Sequence, residues 1–483
     1  MPISKNQPKG LFLLFFVEMW ERFSYYGMRA LLVLYMLNFL NFSMEKSGRI
    51  YGWYTGMVYL TPLIGGYIAD RYLGQRKAIL IGGVLMALGH FSLAFPALPF
   101  FFTGLILLIM GNGFFKPNIS TVVGSLYEEN DPRRDAGFTI FYMGINLGAF
   151  FSPFVCSTLG EKVGWHWGFS AAGIGMFLGL IMYMWGQKQF LGDKCMKPKN
   201  PQKNYSMPII LLSVVLIFLI LSAFQFSGYE IIERVPRYIY WIAAILVVTG
   251  FIYAYTTNSS KSTLTRVEKQ RIAVIFIMVF FSIFFWSAFE QAGSSLTIFA
   301  DKETNRNLSI FGFNFVVPTG YFQSINPLLI FLLAPLFSKL WIRLADVHKE
   351  PSSPLKFSIG LGFLSVGFMV MVVAAKIYEV SGPVSIFWLI GAYFFHTLGE
   401  LCLSPVGLSL VTKLSPVQFT SLMMGVWFLS SFVANFIGGF FAGNYDAMNH
   451  SKFFMIPMTT AILSALLLFL LTPRIRKWMH GIH

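Results

Sequence analysis

The sequence predicts an all-α membrane protein, and three observations carry that prediction. Of 483 residues, 56% are hydrophobic and 12% charged, with mean hydropathy +0.64. A water-soluble fold has too little polar surface to cover that much apolar side chain. The apolar residues fall in runs of about 20, the length an α-helix needs to cross ~30 Å of hydrocarbon. Finally, the net charge of +15 comes from Lys and Arg in short clusters between those runs. That is how cytoplasmic loops look under the positive-inside rule, whereas a nucleic-acid-binding chain shows a continuous basic face. The bilayer is therefore the expected partner, and nucleic acid is not.

Taken in order, the runs give fourteen candidate helices. Six lie near 11–40, 51–72, 76–96, 98–122, 136–160 and 167–190. Two more lie near 207–227 and 237–256, and six near 270–300, 318–346, 354–377, 384–412, 419–444 and 453–474. The first run has charges in its interior and no small-residue cleavage site, so it reads as a permanent helix and not a signal peptide. An even helix count puts both termini on one side. With that side inside, 24 Lys/Arg fall in inner loops and nine in outer loops, which places both termini in the cytoplasm and the chain in the cytoplasmic (inner) membrane.

The stretch 187–206, with five lysines and two prolines, reads as a linker, and a second basic linker covers 258–271. The expected organisation is a six-helix bundle over 1–190, linkers and a two-helix insert over 191–269, and a second six-helix bundle over 270–483. Two such halves are the architecture of a secondary carrier with its site at the bilayer midplane. A monomer is the expected functional unit. Cys156, Cys195 and Cys402 are scattered without ligand or pairing spacing, and no catalytic motif or metal-binding constellation is present. No enzyme activity and no cofactor are expected.

Seven charged residues fall well inside apolar runs: Glu18, Glu21, Arg22, Arg29, Lys116, Glu290 and Glu400. Each costs roughly 2.5–3.5 kcal/mol or more at the bilayer centre without a partner. Four acids against three bases suggest mutual pairing in a shared cavity, with one acid left for a cation or proton. On the first helix, Glu18, Glu21, Arg22, Tyr25 and Arg29 share an arc of about 100° and extend about 16 Å along the axis. The bland alternative is a set of neutralised interhelical salt bridges, but four charges make expensive glue. Lys116 sits in Gly-Asn-Gly-Phe-Phe-Lys-Pro-Asn, where Pro117 loosens the backbone; snorkelling to the interface is the competing reading. Glu290 follows Trp286 by one helical turn, and His396, Glu400 and Ser404 stack at four-residue spacing. Asn146 and Asn326 are intramembrane amides, and Pro327 is expected to break the helix after Asn326, exposing carbonyls to a cavity. His90 reads as a packing histidine with its hydrogen bonds satisfied.

The segment Glu18-Met-Trp-Glu21-Arg22-Phe-Ser-Tyr25-Tyr26-Gly-Met-Arg29 closely resembles the first helix of the proton-dependent oligopeptide transporters of the major facilitator superfamily. Gly65 to Gly89, with Asp70, Arg71, Arg76 and Lys77, is similar to the family's conformational loop motif between helices two and three. Phe138–Phe150, Phe289–Ser295 and Phe322–Pro327 match further family motifs in order along the chain. The resemblance implies a major facilitator fold of two six-helix bundles with two extra helices between them, as in bacterial members. It implies proton-coupled import of di- and tripeptides by alternating access. A proton-coupled carrier of nitrate or a drug-like molecule on the same fold is the alternative.

A site for any dipeptide should grip its two termini, about 5–7 Å apart in an extended chain, and leave the side chains to adaptable pockets. By resemblance, Arg22 and Lys116 hold the carboxylate and Glu400 the amino group, with Ser404 one turn away. Asn146 and Asn326 hydrogen-bond the termini or the peptide link. Tyr25, Tyr26, Tyr59, Trp286 and Trp427 line the walls. A carboxylate paired with arginine stays ionised, and one parted from it in a dry cavity takes a proton. The family implies Arg29–Glu290 as that pair, with Glu18 and Glu21 as alternative proton acceptors.

Overall fold

In hydrocarbon no water is available to the backbone, so every N–H and C=O must pair within its own segment. Each apolar run among the described residues is accordingly helical. The structure, a computed structural model, describes residues 6–128, 131, 133–199, 201–202, 206–227, 264–310, 312–416 and 419–482. Its helices are α1 Lys9–Asn38, α2 Met44–Ile68, α3 Gln75–Leu93, α4 Leu98–Ser125, α5 Arg134–Lys162, α6 Trp165–Leu191 and α7 Ser206–Ser227. They continue with α8 Arg266–Phe289, α9 Ser295–Lys302, α10 Ile325–Asp346, α11 Ser353–Ser381, α12 Phe387–Leu414, α13 Thr420–Ala442 and α14 His450–Met479. The helix expected over 237–256 lies outside the described residues.

Among the described residues, ten helical segments are long and apolar enough to cross a membrane, with α8 and α9 forming one of them. Helices α1 and α2 have the length, at 30 and 25 residues, but α1 carries its interior charges and α2 a polar first turn. That turn explains why α2 starts at Met44 and not near residue 51. The Ser43 hydroxyl accepts the Lys46 N–H at 3.2 Å, and Glu45 pairs with Arg49 one turn on, a cap and a helix pair that hydropathy does not register.

The run expected over 270–300 is also not one helix. A capping box between Thr265 and Glu268 starts α8. At Glu290 the chain tightens into a 3₁₀ turn, Glu290–Gly293, before α9. The Gln291 amide donates to the Gly438 carbonyl at 2.9 Å and holds the turn against α13. Pro327 does not break a helix, contrary to the expectation: a 3₁₀ turn, Thr319–Ser324, ends just before α10, and Pro327 sits in the first turn of α10. The N–H that proline lacks is one of the four that have no intrahelical partner there. Two small ribbons complete the fold. Strand β1 (Thr304–Asn305) runs parallel to β4 (Val384–Ser385), and β2 (Asn307–Ile310) pairs antiparallel with β3 (Phe313–Val316).

The chain forms two units, Met1–Leu31 with Met57–Asn258, and Leu32–Gly56 with Ser259–His483. In the first, small residues let helices touch backbone to backbone. A Cβ on Gly82 would lie 2.6 Å from the Gly111 carbonyl oxygen of α4, and the Thr61 hydroxyl of α2 donates to the Ile109 carbonyl at 2.9 Å. In the second, the start of α2 packs on α13 through Gly48, Gly52, Gly439 and Gly443. A Cβ on Gly52 would be 2.9 Å from the Gly439 Cα. Close approach of this kind drives helix association where apolar burial gives no advantage over lipid.

Candidate substrate and proton site

In the first unit, α1 concentrates charge in its buried face. Glu18, Glu21 and Arg22 are 2%, 0% and 4% exposed. The Arg22 Nε lies 2.8 Å from both Glu18 Oε1 and Glu21 Oε2. Only the first is an aligned hydrogen bond; both Glu21 oxygens and Glu18 Oε2 accept none among the described residues. The helical register causes this arrangement, since steps of three and four bring all three side chains to one face. Nε is turned toward the two carboxylates, and among the described residues the Nη groups of Arg22 make no hydrogen bond; such a fork suits a planar anion.

Lys116, half-buried, lies beside the same cluster. Its ammonium sits 4.5 Å from the Tyr59 ring centroid, and its charge acts on Glu21. A cation over an aromatic face keeps part of its stabilisation without water. Arg22 lies 5.9 Å from the Tyr25 ring centroid and Arg29 6.0 Å from that of Tyr26, and the two tyrosine rings meet edge to face at 5.3 Å. The Asn146 amide donates to the Tyr142 carbonyl of its own helix at 3.1 Å. His90 is fully buried, but neither ring nitrogen has a hydrogen-bond partner among the described residues. It fills space between α3 and α6 beside Gly173, and the expected hydrogen bonds are not made.

In the second unit, Glu290 opens the 3₁₀ turn and is 7% exposed. The turn follows Trp286, whose indole packs edge-on against Phe285 and Phe289. On α12, Glu400 is 8% exposed and accepts from the Asn326 amide at 2.8 Å. The same amide reaches Thr397 Oγ1 at 3.1 Å, so α10 and α12 share a polar knot of Asn326, Thr397 and Glu400. Sequence reading missed Thr397. Its spacing of three from Glu400 puts it on the same helix face, which was the available signal. The Ser404 Oγ, one turn further, is buried without a hydrogen-bond partner among the described residues. Trp427 lies against Gly407, where any Cβ would strike the indole, and meets Phe357 edge to face at 6.3 Å. His396 is held between Phe368 and Phe289 at 4.6 and 6.4 Å.

The loop motif has its own fixed geometry. After α2 a single π turn, Ala69–Leu73, ends at Gly74 with φ 78°, a conformation that favours glycine. Asp70 accepts from the Gln75 amide at 2.6 Å, and Arg71 stacks 4.6 Å from the Tyr67 ring centroid. Arg76 bonds Gln187 at 3.3–3.4 Å and also the Gly192 carbonyl, while Lys77 is exposed. The Arg71 carbonyl accepts from the Gln202 N–H at 3.0 Å, and Lys194 Nζ reaches the Ser125 carbonyl at 2.9 Å. The lysine-rich linker after α6 is thus docked on the α2–α3 turn and the end of α4. Gln187 and Gln202 carry no pattern that marks them in advance.

These features agree with what the chain is similar to. A di-/tripeptide transporter of Lactococcus lactis subsp. cremoris is 36% identical, covering 98% of this chain and 97% of the relative. A peptide transporter of Yersinia enterocolitica is 38% identical over 99% of this chain and 96% of its own length. Among solved structures, a POT family transporter in complex with 5-aminolevulinic acid superposes with TM-score 0.87 at 35% identity, covering 98% of both chains. The family model describing the POT family matches residues 76–460. The chain is an all-α multi-pass membrane protein with a major facilitator fold and belongs to the POT family of transporters.

Proposed function

We propose that this protein is a proton-coupled symporter that imports di- and tripeptides by alternating access, as a monomer in the cytoplasmic membrane with both termini inside. The observation that carries the proposal is the buried charge set: a guanidinium fork and an ammonium in the first unit, and an amide-held carboxylate in the second. Fixed charges of both signs suit a zwitterion and not a simple anion such as nitrate. 5-Aminolevulinic acid, bound to a structural relative, likewise carries an amino group and a carboxylate.

In this reading Arg22 and Lys116 bind the peptide carboxylate, Glu400 the amino group, and Asn326 fixes the Glu400 rotamer. Asn146 and Ser404 are further polar contacts, and Tyr25, Tyr26, Tyr59, Trp286 and Trp427 accommodate side chains. The first four carry no peptide-side-chain information, which fits a carrier of many peptides. Glu290 and Arg29 couple the proton: the acid takes a proton when parted from the arginine and releases it on re-pairing. Asp70, Arg71, Arg76 and Lys77 hold the turn that must deform when the conformation changes.

Uptake of a labelled dipeptide into proteoliposomes under an inward-acid gradient tests the proposal. Competition by unlabelled di- and tripeptides is expected, and competition by nitrate alone would favour the other substrate class. Glu290→Gln should keep peptide counterflow and lose accumulation. Accumulation that persisted in that variant would move the coupling role to Glu18 or Glu21.

A further inference from the structure

A second buried acid, unconnected with the peptide site, lies where α9 ends. The Glu303 side chain is 2% exposed. Its Oε2 accepts from the Tyr445 hydroxyl at 3.1 Å, and its Oε1 is 3.6 Å from His450 Nδ1. The His450 ring stacks between Tyr445 at 4.5 Å and Tyr378 at 5.9 Å. The Glu303 carbonyl accepts the Val384 N–H at 2.9 Å, beside the β1–β4 pairing. One residue therefore ties three connections together: the end of α9, the α11–α12 loop and the turn between α13 and α14.

The other charged groups around it are already engaged. Lys302 lies 3.9 Å from Asp446, and Asp301 bonds Arg306 at 2.9 Å. Glu379 accepts from the Ser451 N–H at 2.9 Å and the Ser451 hydroxyl at 3.0 Å. Among the described residues the Glu303 carboxylate meets Tyr445 and His450, and a buried carboxylate with one neutral donor and a neutral imidazole is not a stable arrangement. Either the acid is protonated and faces a neutral imidazole, or the imidazole is protonated and pairs with the carboxylate across 3.6 Å. Both forms hold one proton.

We propose that Glu303, Tyr445 and His450 form a proton-binding latch, in which one proton shared by Glu303 and His450 keeps the three connections closed. In support, burial pushes the Glu303 carboxyl up to about 8. The latch is independent of Glu290 and of peptide, so it stands or falls apart from the transport assignment.

Opened, the pair has ordinary values of about 4.5 and 6.5. Between those values the closed and open forms each hold one proton, and latch stability is flat with pH. From about 6.5 to about 8 the closed form keeps its proton and the open form has none. Closure then weakens about tenfold per pH unit, about 30-fold in all. Glu303→Gln copies the neutral acid: its oxygen accepts from Tyr445 and its uncharged amide faces Nδ1. Hydrogen-exchange mass spectrometry of the full-length protein in detergent, corrected for intrinsic exchange, tests this at pH 5 to 9. Residues 300–305, 383–386 and 444–451 should lose protection together above pH 6.5 in the wild type and keep it in Glu303→Gln. Equal wild-type protection at pH 6.5 and 8, or an equal loss in Glu303→Gln, overturns the proposal. If that variant does not fold, the wild-type profile decides alone.

Discussion

The contact between α2 and α13 allows a sharp test of how the carrier changes state. Take Gly52→Ala. The new Cβ would lie 2.9 Å from the Gly439 Cα and 3.1 Å from the Asn435 and Phe436 carbonyl oxygens. Carbon atoms rest about 3.5–4.0 Å apart, and all three opposing atoms are backbone, so none can swing aside. The helices must part by about half an ångström or more, an overpacking cost of about 1–3 kcal/mol. If import requires residues 44–56 to leave α13 in one part of the cycle, that cost falls on the packed state only. Its population relative to the parted state should drop about 5- to 150-fold. Hydrogen exchange over 44–56 and 432–443 should speed up by that factor, and proteoliposome uptake should slow. Gly362→Ala is the control, because nothing lies within 4 Å of a Cβ there. Exchange within about twofold of wild type, together with normal uptake by Gly52→Ala, would refute the reasoning.

Three further outcomes follow from named contacts. Arg22→Lys keeps a charge near Glu18 and Glu21 but loses the Nη fork, so peptide KM should rise about tenfold or more with little change in thermal stability. Asn326→Ala removes the donor at 2.8 Å from Glu400, a charge-assisted bond of about 1.5–3 kcal/mol. Calorimetric peptide affinity should fall at least tenfold, and unchanged affinity would detach Asn326 from the site. Arg76→Ala removes the bonds from α3 to Gln187 near the end of α6 and to the Gly192 carbonyl at the start of the linker. Trypsin should then cut after Lys194 or Lys199 faster than in wild type, while peptide binding in detergent stays as it was.

How much of this was legible in the sequence depends on whether a residue's partner is local. Glu18, Glu21 and Arg22 meet on one helix, and their spacing alone placed them together, as the 2.8 Å contacts show. Helix positions followed from hydropathy, because in a bilayer the apolar length and the backbone requirement point to the same segments. Reading failed where a polar group replaced that logic. The start of α2 at Met44 rests on Ser43 and on the Glu45–Arg49 pair, all of which look like loop to a hydropathy window. The break at Glu290 rests on Gln291 meeting a carbonyl 147 positions away, and no local pattern contains that fact. Pro327 shows the reverse error: proline forbids a helix interior but suits a first turn, and only the preceding 3₁₀ turn tells which applies. Glu303 escaped for the same reason as Gln291, since its hydrogen-bond partner Tyr445 comes from a distant turn. Buried charges on a single helix can thus be found by counting periods, whereas those assembled from separate loops must be found by asking which acid has lost its water.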